Sequence, residues 1–163
     1  MTDTPDVIEV RVSGAQFHLG PFGTEPVLDP GQQGRLLFVD PAGAMAVVLT
    51  GCATGPVSIT VDSSVTPLAD LGLAMEAWEV GDEDTIDITE ELLLSTLDGT
   101  MIPIYVPSAP GPHLVRVLAR GRAANWDLVV SQPTEDYAIA IRPTNQRHPK
   151  RSAGSDGLYE SRA

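Results

Sequence analysis

The sequence predicts an all-β fold, an antiparallel β-sandwich or barrel-like domain followed by a disordered C-terminal tail. Short runs in which apolar and polar residues alternate recur roughly every ten residues. Turns rich in glycine and proline separate these runs, and the 163 residues hold 15 glycines and 14 prolines. Many short strands with regular turn signals are typical of sandwiches and barrels.

The most regular stretch is residues 113–142, which predicts three consecutive strands. In the first, Val115, Val117 and Ala119 point to one face, and the other face carries Leu114, Arg116, Leu118, Arg120 and then Arg122. The second, residues 126–130, is nearly continuous in apolar residues and is interpreted as a short buried strand. The third alternates Tyr137, Ile139 and Ile141 with alanines and an arginine.

The N-terminal part of the chain predicts five further strands from the same alternation. A bend at Gly14 separates the first two, and the third and fourth are joined as a hairpin through residues 41–43. The predicted strands are residues 7–12, 15–19, 35–40, 44–50 and 57–62.

The middle of the chain is less regular, and residues 63–73 are compatible with one helical turn. Residues 74–80 are interpreted as a strand and residues 81–84 as a turn. Residues 85–95 fit a strand or a short helix, and the β-branched residues at their start favour the strand. In residues 101–106, Pro103 indicates an edge strand or a bend.

These patterns predict one sandwich-like domain over residues 1–142. Residues 143–163 lose apolar periodicity and hold too few apolar side chains to offset the entropy of ordering. We therefore expect a disordered tail there.

Charge narrows the classes of partner. Residues 1–142 contain twenty acids and six bases, a net charge of −14, whereas residues 143–163 carry +2. A body this acidic repels phosphate backbones, so nucleic-acid binding is not expected, and an attracted partner is basic.

The chain shows neither a leader nor an apolar run long enough to span a membrane, and its single cysteine forms no intramolecular disulfide. The expected location is the cytoplasm, without membrane contact; the oligomeric state is left open.

The densest group of charged residues lies between positions 76 and 91, where eight carboxylates occur without a base. We interpret them as a partner-binding face for a basic protein; a solvated edge that prevents sheet pairing is the alternative. A calcium loop beginning at Asp82 is disfavoured because Asp87 stands where glycine is required. The predicted binding residues are Glu76, Glu79, Asp82, Glu83, Asp84, Asp87, Glu90 and Glu91.

Residues that suit catalysis are few and lack a motif. His18 and His113 lie beside apolar residues in predicted strands, and Cys52 lies in an acidic chain that opposes a thiolate, so all three are interpreted as structural. No metal-binding spacing and no nucleotide or serine-hydrolase motif occurs. The sequence therefore predicts no cofactor, no metal and no enzymatic activity. The strand arginines are expected to pair with Asp127, Glu135 or Asp136.

Several segments resemble known proteins. Residues 10–17 (VRVSGAQF), residues 55–57, the region of Trp78, residues 111–122 (GPHLVRVLARGR) and residues 135–137 are similar to small actinobacterial proteins of unassigned role. More distantly, the early strand with Gln16 and Phe17 and the late strand of a β-rich domain resemble the ComJ family of acidic cytoplasmic nuclease inhibitors. This resemblance implies a β-rich inhibitor, but it assigns no site residue.

Together these features predict a non-catalytic acidic binding protein, an inhibitor or immunity-type protein for a basic enzyme such as a nuclease or toxin. The alternative is a sandwich that binds a small ligand or carbohydrate, with Trp78 or Trp126 as a stacking platform.

Overall fold

The computed structural model describes residues 6–23, 35–63 and 78–145. These residues form ten β-strands and no helix. The strands are β1 Asp6–Val12, β2 Gln16–Gly20, β3 Leu37–Val39, β4 Ala46–Leu49, β5 Gly55–Asp62, β6 Val80–Ile88, β7 Leu92–Ser95, β8 Met101–Tyr105, β9 Gly111–Arg120 and β10 Asp136–Pro143.

The strands form two five-stranded sheets packed face to face, so the predicted all-β sandwich is confirmed. The first sheet has the order β1-β5-β10-β9-β6, and the second has the order β3-β4-β2-β7-β8. Neighbouring strands are antiparallel except for β10, which runs parallel to β5. The last strand is therefore the central strand of the first sheet.

The core lies between the sheets and follows from the period-2 pattern. In β9, Val115, Val117 and Ala119 are fully buried, as their alternation predicts. In β10, Tyr137 extends into the core and meets the ring of Phe17 edge-on, with the ring centroids 5.5 Å apart. Aliphatic residues provide most of the remaining core, as expected from the low aromatic content.

Two predicted elements are wrong. Residues 126–130 form a loop in which only Val130 is buried. Their nearly continuous apolar run resembles that of a buried strand, but the segment lies in a turn, where Asp127 has a φ of 59°. Residues 81–84 form part of β6 rather than a turn. Their acidic composition suggested a solvated turn, yet Asp82 and Asp84 alternate into the protein and meet Arg35.

Several other local predictions are confirmed. Residues 85–95 form strand rather than helix, interrupted between β6 and β7. The hairpin of β3 and β4 is antiparallel, and β8, which contains Pro103, is an edge strand with a register shift against β7.

The domain boundary and the tail remain predictions. β10 ends at Pro143, and the backbone N–H of Thr144 donates a 3.0 Å hydrogen bond to the carbonyl of Pro112. Residues 146–163 of the predicted tail lie outside the described residues, as do residues 64–73 and 74–77. The described part of the strand predicted over 74–80 is wrong except at its last residue, because β6 begins only at Val80.

Candidate functional site

The exposed carboxylates of the acidic run lie along or beside β6, the last strand in the order of the first sheet. Glu79 precedes β6, Glu83 and Asp87 alternate on its outward side, and Glu90 and Glu91 follow it in the turn to β7. We call these five residues the acidic edge. Glu79, Glu90 and Glu91 are exposed, and Glu83 and Asp87 are partly exposed. Strand geometry spreads Glu79 and Asp87 over about 26 Å.

Two predicted binding residues, Asp82 and Asp84, point into the protein instead. Asp82 accepts hydrogen bonds from the Arg35 guanidinium at 3.1 and 3.3 Å and from the backbone N–H of Leu37 at 3.1 Å. Asp84 Oδ2 lies 3.8 Å from Arg35 Nη2. Burial raises the pKa of Asp82 despite the neighbouring arginine. This cluster joins β6 to the segment entering β3, and therefore holds the two sheets together at one side. Glu76 lies outside the described residues.

The arginines of β9 form cross-strand ion pairs. Arg120 lies 2.9 Å from Asp136 on β10, one of the predicted partners. Arg116 Nη2 lies 3.1 Å from Glu83 on β6 instead. These pairs neutralise part of the outward face of the first sheet and engage one carboxylate of the acidic edge.

Cys52 lies in a buried cluster with the charged side chain of Glu135. The Glu135 carboxylate accepts hydrogen bonds from the backbone N–H groups of Gly51 and Cys52 at 2.8 and 2.6 Å, and from the Tyr137 hydroxyl at 2.6 Å. Burial, reinforced by Glu135, raises the pKa of the Cys52 thiol to about 12. A buried thiol that keeps its proton is a poor nucleophile, so the geometry fits the predicted structural role.

His18 and His113 are also buried, and they lie in different sheets. The Nδ1 atom of His113 lies 2.8 Å from the carbonyl of Gly111, and its ring meets Tyr105 edge-on at 5.3 Å. Cys52 lies at the opposite end of the sandwich, beside the start of β5. The described ranges contain no group of three His, Cys, Asp or Glu residues that could hold a metal ion, and no helix long and apolar enough to cross a bilayer.

Both tryptophans retain exposed surface, and each carries an arginine on its ring. The Arg120 guanidinium lies 4.6 Å from the ring centre of the partly buried Trp78. Arg122 lies 5.4 Å from that of Trp126, which is 59% exposed. These distances fit cation–π contacts.

Sequence reasoning missed that Trp126 belongs to an exposed apolar group with Leu128 and Val129, which are 54% and 73% exposed. We call these three residues the apolar tip. The turn-forming residues Gly121, Asn125 and Asp127 are the signal that would have revealed a loop.

Comparisons with known proteins give one informative likeness. No protein-family model matches the chain, and no curated protein matches its sequence. Among solved structures, the fold is similar to ComJ from Bacillus subtilis, described as an inhibitor of the DNA degrading activity of NucA. The TM-score is 0.57 at 13% sequence identity, over 85% of this chain and 96% of ComJ. The two proteins therefore share a fold.

Proposed function

We propose that this protein is a non-catalytic binding protein that inhibits a basic enzyme, such as a nuclease, through its acidic edge. The observation that carries the proposal is the acidic edge, with two partly exposed carboxylates on β6 and three exposed ones beside its ends, on a body of net charge −14. An enzyme that degrades nucleic acid needs a basic cleft to hold phosphates. A row of fixed carboxylates competes for such a cleft and steers association electrostatically.

The fold supports an inhibitor rather than an enzyme. ComJ, which shares this architecture, is an inhibitor of a DNA-degrading activity. The burial of Cys52 and His113 supports the same conclusion, since neither side chain reaches a substrate in solvent.

The experiment couples capture to inhibition. The full chain is immobilised, host extract is applied at about 50 mM salt, and bound protein is eluted at about 500 mM, where charge attraction is largely screened. We expect a basic protein whose DNA-degrading activity falls to background on adding one equivalent of this chain.

A matched variant tests the acidic edge directly. Glu79, Glu90 and Glu91 are changed together to glutamine, which removes charge while keeping shape. We expect slower association and a weaker dependence on salt. Recovery of only neutral or acidic proteins, or an eluted enzyme that stays active when saturated with the chain, would contradict the proposal.

Small-ligand or carbohydrate binding is a second candidate, favoured by the exposure of Trp126. Its neighbours Leu128 and Val129 offer few hydrogen-bonding groups to hydroxyls. Titration with neutral and acidic oligosaccharides while Trp fluorescence is recorded separates the two functions. A saturable change that is lost in Trp126→Ala would favour the carbohydrate.

A further inference from the structure

Three of the eight large apolar side chains exposed in the described part of the chain lie in one short segment. Trp126, Leu128 and Val129 are three bulky apolar residues among four positions, each more than half exposed. Clustered apolar exposure on a soluble protein generally marks an interaction site. The apolar tip lies in the 15-residue loop between β9 and β10, and loops of this length without strands or helices of their own are usually functional.

Backbone hydrogen bonds fix the tip to the turn before β5. The N–H of Asp127 donates to the carbonyl of Gly51 at 2.8 Å, and the N–H of Ala53 donates to the carbonyl of Leu128 at 2.8 Å. The N–H of Val130 donates to the carbonyl of Thr54 at 2.9 Å. The apolar side chains are therefore displayed on a prearranged backbone.

The base of the loop is equally constrained. Gly51 and Gly55 lie so close to the backbone carbonyls of Arg122 and Val130 that neither has room for a Cβ atom. The buried Glu135 carboxylate then accepts the N–H groups of Gly51 and Cys52. Two chain segments are thus held together by close backbone contacts and by charge-assisted hydrogen bonds.

The composition of the tip matches that of residues that dominate protein interfaces. Trp126 is held beside Arg122, and tryptophan and arginine are the residue types most enriched among energetic hot spots. Holding an aromatic side chain in place before binding reduces the entropy lost on association. Asp127 lies exposed between Trp126 and Leu128, and its negative charge is accompanied at the tip by the positive charge of Arg122 on the Trp126 ring.

We propose that the apolar tip is the anchor that enters an apolar pocket bordered by basic groups on the protein partner; this inference rests on the proposed function. The net charge of −14 over residues 1–142 favours such a pocket over an anionic membrane or a second copy of this chain, both of which repel negative charge. The acidic edge accelerates encounter, and the tip slows dissociation.

The test measures association and dissociation rates of the full chain against the protein eluted from the immobilised chain. Trp126→Ala and Val129→Ser are compared with Val7→Ser, a control whose side chain is 68% exposed on β1, the strand farthest from β6 in the first sheet. Unchanged thermal midpoints establish that each variant is folded.

We expect Trp126→Ala to weaken binding by about 30-fold or more, through faster dissociation at both low and high salt. Val129→Ser acts in the same direction, and Val7→Ser has no effect.

The possible outcomes separate this inference from the proposed function. Tip variants that bind like the wild type, while the triple glutamine variant associates slowly, would overturn the anchor and leave the inhibitor intact. A tip-dependent partner that is not inhibited would overturn the inhibitor and leave the anchor. A dimer in sedimentation that is lost in Trp126→Ala would show that the tip binds a second copy of this chain, and tip-dependent binding to phosphatidylglycerol vesicles would show that it binds a membrane; either result would overturn the anchor. Capture of no protein would overturn both the anchor and the inhibitor.

Discussion

The backbone N–H of Cys52 donates a 2.6 Å hydrogen bond to the carboxylate of Glu135, which lies 83 residues later in the chain. The same carboxylate accepts the N–H of Gly51 and the hydroxyl of Tyr137. One fully buried anion thus fixes the turn before β5 to the start of β10. Its removal therefore affects both the core and the base of the loop that carries the apolar tip.

We expect Glu135→Gln to destabilise the protein by about 2 kcal/mol or more, because an amide NH₂ replaces an acceptor that faces a donor. Tyr137→Phe removes one of the three hydrogen bonds and costs about 1 kcal/mol. Denaturant unfolding measures both free energies. Equal stability of wild type and Glu135→Gln would show that the charge is dispensable.

Stability should fall in alkaline solution. Burial raises the pKa of Cys52 to about 12 and also raises the pKa of Tyr137. Both groups keep their protons in the folded state at pH values where the unfolded chain loses them. The free energy of unfolding therefore decreases as pH rises above about 9. Unfolding free energies between pH 8 and pH 11, roughly the range that spans these transitions, measure the loss.

Tyr137→Phe reduces this alkaline loss of stability, since phenylalanine has no proton to release.

The Cys52 thiol also resists iodoacetamide at pH 8, about half a unit below the ordinary thiol pKa, until the chain unfolds. Rapid labelling of the folded protein would contradict the burial of Cys52.

Arg35→Met leaves Asp82 and Asp84 buried beside one another without their cation. Breaking a buried pair in this way costs about 3–5 kcal/mol. Arg116→Met, at the partly exposed pair with Glu83, is the matched control and costs less than about 1 kcal/mol. Denaturant unfolding compares the two. Adding Asp82→Asn and Asp84→Asn to Arg35→Met recovers part of the loss; similar costs at both arginines would refute a special role for burial.

Gly121→Ala tests the base of the loop. Gly121 has a φ of +83°, and a Cβ atom there would clash with the Thr134 carbonyl oxygen. Gly43 has a φ of +77° with open space around it, so Gly43→Ala pays only the conformational cost of about 1 kcal/mol. We expect Gly121→Ala to lower the free energy of unfolding by about 3 kcal/mol, and denaturant unfolding measures the change. Equal effects at the two glycines would contradict the close approach.

Local sequence pattern predicts much of the fold, because apolar and polar residues alternate along a strand that has one buried face. The alternation of Val115 and Val117 identifies β9, and that of Tyr137 and Ile139 identifies β10. The parallel alignment of β10 with β5 depends on a pairing between distant segments, such as Tyr137 with Ile59, that no local pattern contains.

The candidate site is less predictable for the same reason. Asp82 resembles its neighbour Glu83 in sequence, and the contacts that make it the buried carboxylate come from Arg35 and Leu37, more than 40 residues earlier. Trp126 and Val129 resemble core residues, and their exposure follows from backbone contacts with residues 51–54. Hydrophobicity alone does not distinguish an anchor from a core residue.

The position of β10 constrains the order of folding. It lies between β5 and β9, so β1 with β5 and β6 with β9 remain two separate antiparallel pairs in this sheet until residues 136–143 have been synthesised. Joining them requires contacts between segments far apart in sequence, and such topologies fold slowly. A nascent chain that has not yet reached this strand exposes two unpaired strand edges, and chaperone binding to those edges would protect it from aggregation.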